Sequence, residues 1–166
     1  MPYYRDASGA LQYLASIAYA ADLPAGAVII SDEEALTELP TPVNVAQQSQ
    51  IQAIDDACAA AIVGGFPSSA LGQAYTYPSK MTDQQNLAAA VQRSMLPGFT
   101  SVLFWCADRY GQWAMRGHNQ AQIQQVGIDG FNWISKCIAK KATLETQVMG
   151  LQDPDAIAQI VWSNPT

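Results

Sequence analysis

Charge is what this chain has least of. Only 13% of its residues are Asp, Glu, Lys or Arg, about half the usual share for a soluble domain. Eight Lys and Arg stand against fourteen Asp and Glu, for a formal charge of −6, and Lys140-Lys141 is the one basic pair adjacent in sequence. Binding to a phosphate backbone needs clustered Lys and Arg, so nucleic acid is excluded as an unassisted partner. Histidine occurs once and cysteine three times, at Cys58, Cys106 and Cys137, without CxxC spacing. That leaves no metal-ligand cluster and no disulfide framework, and points to buried free thiols in a reducing compartment. No apolar run approaches the roughly 20 residues of a membrane span, so no membrane insertion is expected. Met1-Pro-Tyr-Tyr-Arg-Asp has neither the basic nor the apolar region of a secretory leader, which places the chain in the cytosol. No cofactor is expected.

What is present is apolar material and uncharged polar side chains. The apolar share is 49% of 166 residues, enough for a core in one ordinary domain or in a domain with a small module beside it. Gln, Asn, Ser and Thr supply much of the polar surface, a composition that suits a protein working against partners.

Pro2–Leu14 reads as a hairpin, with Tyr3-Tyr4-Arg5 and Leu11–Leu14 joined by a turn at Asp6–Gly9. After the Leu23–Gly26 turn signal, the β-branched Val28-Ile29-Ile30 predicts a strand. Ser31 with Glu34 forms a capping-box signature for a helix over Asp32–Leu39. Pro40 and Pro42 favour an extended linker through Asn44. Beyond it the apolar spacing turns helical, with helices expected near 44–65, 82–96 and 119–151 and a hairpin over 102–116. Thr82 or Asp83 is the expected cap of the second helix, and Ala70–Tyr77 is expected to run extended before it. In the long helix, Ile123, Gly127, Gly130, Ile134, Cys137, Lys141, Leu144, Val148 and Leu151 keep a 4-3 spacing. Gly127, Gly130 and Cys137 are expected where it approaches the Ala-rich first helix, and Lys141 at a partner's edge. Asp153-Pro154 predicts a short helix over Asp155–Val161, with Trp162 as a docking anchor. The fold class is therefore α+β. A small N-terminal β-rich module (1–39) and a linker with helix start (40–49) precede a mainly helical domain with long packed helices and one β-hairpin (50–152), then a C-terminal helix and tail (153–166).

No residue pattern carries catalysis. Cys106, Asp108 and His118 are the nearest to a nucleophile set, which needs a His to deprotonate the thiol and a third group to orient it. Cys106 falls inside a predicted strand between Trp105 and Ala107, where a buried inert thiol is the ordinary outcome. Asp55-Asp56 and Asp32-Glu33-Glu34 are carboxylate pairs only in sequence, since helix neighbours point different ways and cannot flank one bond. Gly127-Ile-Asp-Gly130 lies inside a helix and is no phosphate loop. The aromatics offer more. Trp105, Tyr110 and Trp113, with Tyr75 and Tyr77 near them, could form a sugar-stacking platform with Asp108 as polar partner. The ordinary alternative is that Trp105 and Trp113 pair across the hairpin and cover the helices.

Several words in the sequence carry a resemblance: Gly65-Phe-Pro-Ser-Ser-Ala-Leu-Gly, Tyr75-Thr-Tyr-Pro, Thr82-Asp-Gln-Gln-Asn-Leu, Phe104-Trp-Cys-Ala-Asp and Ala121-Gln-Ile-Gln-Gln-Val-Gly-Ile-Asp-Gly. In this order, from about Gln50 to Leu151, they resemble a domain of unknown function that recurs in bacteriophage and prophage proteins encoded beside tail-fibre genes. The opening, Pro2-Tyr-Tyr-Arg-Asp with Leu23-Pro-Ala-Gly-Ala and Ile30-Ser-Asp-Glu-Glu-Ala, is similar to the N-terminal module of tail-fibre assembly proteins. The resemblance implies a non-enzymatic tail protein that binds a tail-fibre or other tail polypeptide, as assembly chaperone or retained virion subunit. It would act in the bacterial host cytoplasm during assembly or on the virion tail, and a homo-oligomer is compatible with it. Partner binding is expected at Tyr3, Tyr4, Arg5, Val28, Ile30 and Trp162, through a sheet edge that accepts a strand. The rival expectation is a glycan-binding or glycan-processing protein using Trp105, Tyr110 and Trp113. It requires those rings exposed, whereas the chaperone expectation has the tryptophans mostly buried.

Overall fold

The computed structural model describes residues 3–13, 23–38 and 42–165. The fold is α+β, and the chain divides into two units, Met1–Pro42 and Val43–Thr166.

In the first unit, Asp6 organises the opening turn. Its Oδ1 accepts from the Ser8 and Ala10 N–H groups at 2.9 and 3.0 Å, and Gly9 takes φ +87° to close the loop. Strands β1 (Tyr3–Arg5) and β2 (Leu11–Tyr13) therefore pair antiparallel, Tyr3 opposite Tyr13. Pro24 and Gly26 (φ +84°) turn the chain into β3 (Val28–Ile30), which pairs with the other side of β1. Ser31 Oγ accepts from Glu34 N at 3.1 Å and starts α1 (Asp32–Glu38). The Glu34 carboxylate meets Arg5 at 3.4 Å. Ile30 and Ala35 are buried. The strand order is β2-β1-β3, which corrects one expectation. Tyr3–Arg5 is the central strand, its backbone groups already paired on both sides, and cannot accept a further strand. Val28–Ile30 is an edge among the described residues.

Leu39, Pro40 and Thr41 lie outside the described residues. Val43 and Asn44, expected in an extended linker, are already helical, because a proline just outside a helix start costs it no hydrogen bond. Helix α2 (Val43–Val63) runs to Gly64, and Gly65 at φ +108° turns the chain back. There β4 (Phe66–Ser68) pairs with β5 (Tyr75–Tyr77). This second hairpin was not expected: residues 70–71 form its turn instead of an extended run. Pro67 hides the strand in sequence, yet β4 is an edge where a missing N–H is tolerated. Helix α3 (Met81–Ser94) is capped at Lys80, whose N–H is taken by Asp83 Oδ2 at 3.0 Å, so Asp83 sits at the third helical position and is not the cap itself. Strands β6 (Val102–Ala107) and β7 (Trp113–His118) complete a four-stranded antiparallel meander, β4-β5-β6-β7.

Asn119 and Gln122 form a reciprocal capping box at the head of α4 (Gln120–Gly150), with both bonds at 2.9 Å. This helix is the spine of the unit. Its N-terminal half closes a core of Phe66, Tyr77, Leu87, Cys106, Ile123 and Val126. Its C-terminal half joins α2 and α5 (Pro154–Ala158) through Ile54, Val148 and Ile157. The glycines do not face α2 as expected: a Cβ on Gly127 would meet Val91 of α3 at 2.8 Å, and one on Gly130 would meet Phe66 of β4 at 2.9 Å. Lys141 pairs within the chain, with Asp55 and, at 3.6 Å, Glu145. Helix α5 is shorter than expected, and Trp162 packs against its own unit's second core with Lys140 Nζ over its ring at 5.9 Å.

Candidate functional site

The backbones of the three residues nearest to a catalytic set are spaced apart along the sheet. Cys106 stands opposite Ala114 while His118 stands opposite Val102. Four strand residues at about 3.4 Å each put their backbones roughly 14 Å apart, and the Tyr77 hydroxyl stands between the two side chains, hydrogen-bonded to the imidazole and to the Cys106 thiol. His118 is fully buried; its Nε2 lies 2.7 Å from Tyr77 Oη and its Nδ1 2.8 Å from the Arg116 carbonyl. The carbonyl can only accept, so Nδ1 carries the proton and Nε2 accepts from the tyrosine. Burial holds the imidazole below its ordinary value and raises the Cys106 thiol, leaving both groups neutral at pH 7. Asp108 is committed to the hairpin tip: its Oδ1 accepts from Tyr110 N and Gln112 N at 2.9 and 3.0 Å, and its Oδ2 meets Arg116 at 3.5 Å. Those backbone bonds lower its pKa. The trio is a piece of architecture.

The aromatic candidates separate in the same way. Strand alternation sends Phe104, Cys106 and His118 to the core side, so Leu103, Trp105, Trp113 and Met115 must point outward. Trp105 and Trp113 are 45% and 44% exposed, which corrects the expectation that they cover the helices. They do pair, diagonally across the hairpin, with ring centroids 6.5 Å apart and planes within 14°. Tyr110 is not with them; it lies at the tip under the Arg109 guanidinium, 4.7 Å from the ring centroid. Tyr77 is a core residue, and Tyr75 carries the Arg116 guanidinium at 4.9 Å. Of the proposed platform, the structure brings together Trp105 and Trp113 only.

Two surface features escaped the sequence. One is a groove of about 510 Å³ in which the two tryptophans face Ser79, Lys80, Thr82 and Asp83 at the start of α3. The other is a trough of about 660 Å³ between α3 and α4, walled by Leu87, Val91, Met95, Ile128, Phe131 and Ile134. Phe131 is 70% exposed there. Phe131 could have been found, since it follows the buried Gly130 by one residue, about 100° around the helix. Among the described residues no cluster of His, Cys, Asp or Glu could hold a metal, and no helix is long and apolar enough to cross a membrane.

Residues 45–161 match the model of a family described as a domain of unknown function, DUF4376. The chain belongs to that family. Searches of curated proteins and of solved structures return no match. The DUF4376 match covers α2 to α5 and therefore both surface features, while β1, β2, β3 and α1 fall before it.

Proposed function

We propose that this chain is a non-enzymatic protein of a phage tail-fibre locus that grips a fibre polypeptide, as assembly chaperone or retained tail subunit. The observation that carries the reading is the open apolar trough between α3 and α4. Contiguous exposed apolar surface rimmed by polar side chains is what a protein-binding site looks like, and Gln84, Gln92 and Gln124 rim this one. Fibre chains expose apolar strands and unpaired edges before they close into trimers, and a partner covering them limits aggregation. The β3 edge, with Val28 and Ile29 exposed, offers a second, strand-type contact. The resemblance of the opening residues to tail-fibre assembly modules supports the same reading, as does the inert chemistry of Cys106 and His118. The chain would then work in the host cytoplasm during assembly.

Co-expression with the fibre polypeptide of the same locus tests it. The two should co-purify, and Phe131→Glu should weaken the complex more than tenfold, since seating that ring is worth about 2 kcal/mol. A fibre that stays equally soluble without the chain, and does not co-purify with it, removes the proposal. A chain starting at Val43 divides the contacts: retained binding assigns them to the trough, lost binding to the β3 edge.

The exposure of Trp105 and Trp113 goes against the buried tryptophans expected of a chaperone and favours the rival reading, a glycan-binding protein.

A further inference from the structure

We propose that the groove between the Trp105–Trp113 pair and the start of α3 is a binding site for a neutral glycan. One sugar ring lies on the indoles, and its hydroxyls meet Lys80, Thr82 and Asp83. The inference rests on the glycan reading and relocates its polar partners from the hairpin tip to the helix.

The tryptophans of this chain fall into two kinds. Trp133 and Trp162 are half-buried and their indole N–H groups are satisfied internally, by the Ala61 carbonyl and by Asn164 Oδ1, each at 3.1 Å. Trp105 and Trp113 are exposed, nearly parallel, and their N–H groups meet no acceptor among the described residues. Indoles that serve a fold hide the ring and satisfy the nitrogen; indoles that serve a ligand leave both available. A pyranose is matched to such a surface, because one of its faces presents C–H groups while hydroxyls ring its edge.

The rim supplies those hydroxyls with partners. Asp83 uses Oδ2 to accept from Lys80 N at 3.0 Å, which leaves Oδ1 for a ligand. Lys80 Nζ has no ion-pair partner among the described residues, and the Thr82 side chain is exposed. Ser79, 1% exposed with its hydroxyl unpartnered, lines both this groove and the trough between α3 and α4. One ammonium and one carboxylate cancel, and Asp83 already answers the positive end of α3, so the groove selects a ligand that is polar without net charge. Its volume of about 510 Å³ falls within the range of small-ligand clefts. A polyproline segment also stacks on tryptophan, but its repeat of roughly 9 Å per turn exceeds the 6.5 Å between the two rings.

The test uses the full chain and a panel of short neutral gluco-, galacto-, manno- and N-acetylglucosamine oligosaccharides. Binding is screened on an array and then followed by NMR titration and tryptophan fluorescence. A hit should perturb the Trp105 and Trp113 indole N–H signals. Trp113→Ala should lose at least tenfold in affinity and Thr82→Val a few-fold, while Tyr110→Ala binds like the parent; circular dichroism confirms that each variant is folded. Binding that survives Trp113→Ala and fails in Tyr110→Ala overturns the groove and leaves the glycan reading standing. A blank array overturns both. Tighter binding of sialylated or uronic-acid glycans overturns neutrality, and saturation of the same indoles by a polyproline peptide alone makes the groove a peptide site.

Discussion

Gly130→Ala adds one methyl where α4 lies against the ring of Phe66. A Cβ at this position would stand 2.9 Å from Phe66 Cζ and 3.2 and 3.4 Å from its Cε atoms. Contacts between carbons are comfortable at about 3.5–4.0 Å, so the ring must retreat by more than half an ångström. It has little room. Phe66 is 2% exposed and stacks on Tyr77 at 5.7 Å, and Tyr77 is held in turn by His118. Nor can β4 lift away cheaply, because Ser68 Oγ donates to Asp129 Oδ2 at 2.5 Å, beside the substituted position. Overpacking of this kind costs about 1–3 kcal/mol, while alanine gains about 1 kcal/mol over glycine in a helix interior. The net expectation is a loss of up to about 2 kcal/mol, or a melting point lower by several degrees.

Gly150→Ala on the same helix is the matched control, since a Cβ there meets nothing within 4 Å. It should be neutral or stabilising. The difference between the two variants in denaturant midpoint, followed by circular dichroism, reads the Phe66 contact less the helix propensity that Gly150, the last residue of α4, does not share with an interior position. If Gly130→Ala is as stable as Gly150→Ala, then β4 is not seated against α4 as described. Gly127→Ala should fall between them, because the atom it meets at 2.8 Å is a methyl of half-buried Val91.

Other expectations follow from the same geometry. His118→Gln should flatten the acid limb of the stability profile. The buried imidazole has a depressed pKa, so the unfolded chain binds the proton more readily, and stability present above the ordinary value near 6.5 drains away as pH falls below it. Urea midpoints between about pH 7 and pH 5 should therefore drop less in the variant, and equal slopes would mean the ring is solvated. Tyr77→Phe should cost about 1 kcal/mol by deleting the hydrogen bond to His118, read from the same urea curves. All three thiols are buried with raised pKa values; a disulfide reagent at about pH 8 should leave the native protein unlabelled and titrate three groups in denaturant. Acrylamide should quench a fraction of the tryptophan emission that disappears in the Trp105→Phe, Trp113→Phe double variant; unchanged quenching would place those rings inside.

What the sequence made legible was local. Turns marked by glycine, such as Asp6–Gly9, Pro24–Gly26 and Asp108–Gly111, and caps marked by Ser31 and Asp153 are set by neighbours a few residues away, and the structure has them, although the cap of α3 falls at Lys80 and not at Thr82 or Asp83. Packing partners were not legible. Gly127 and Gly130 signalled close approach, but the spacing could not say whether α2, α3 or a strand would come near. Strand parity failed for a related reason. Val102–Ala107 is apolar at nearly every position, so alternation did not reveal which face was inner, and both tryptophans were turned the wrong way. The groove at α3 was hidden altogether, since it joins residues 79–83 to 105 and 113 through a hairpin whose first strand, β4, contains proline.

The amide-rich composition had suggested a surface held ready for partners, and the contacts argue differently. Gln47 Nε2 donates to the Leu151 carbonyl at 3.0 Å and lies 3.4 Å from those of Val148 and Met149, where α4 ends without helical partners for its last carbonyls. Gln50 donates to the Ile160 carbonyl at 2.7 Å and fastens the tail after α5. Gln84 takes the Ser79 carbonyl at 2.8 Å, Gln122 closes the cap of α4, and Gln124 reaches Ser94 Oγ at 3.2 Å. A neutral amide does this work better than lysine or glutamate in a half-buried setting, because it satisfies a carbonyl without bringing a charge out of water. Low charge is therefore first a property of how this fold joins its helix ends. Gln47 makes the point measurable: Gln47→Leu keeps the bulk but leaves the end of α4 unsatisfied, and should cost about 1–2 kcal/mol. Gln48→Leu, one residue on and exposed, should be near neutral. If both variants melt together, the amides are surface after all, and the composition returns as evidence for a partner.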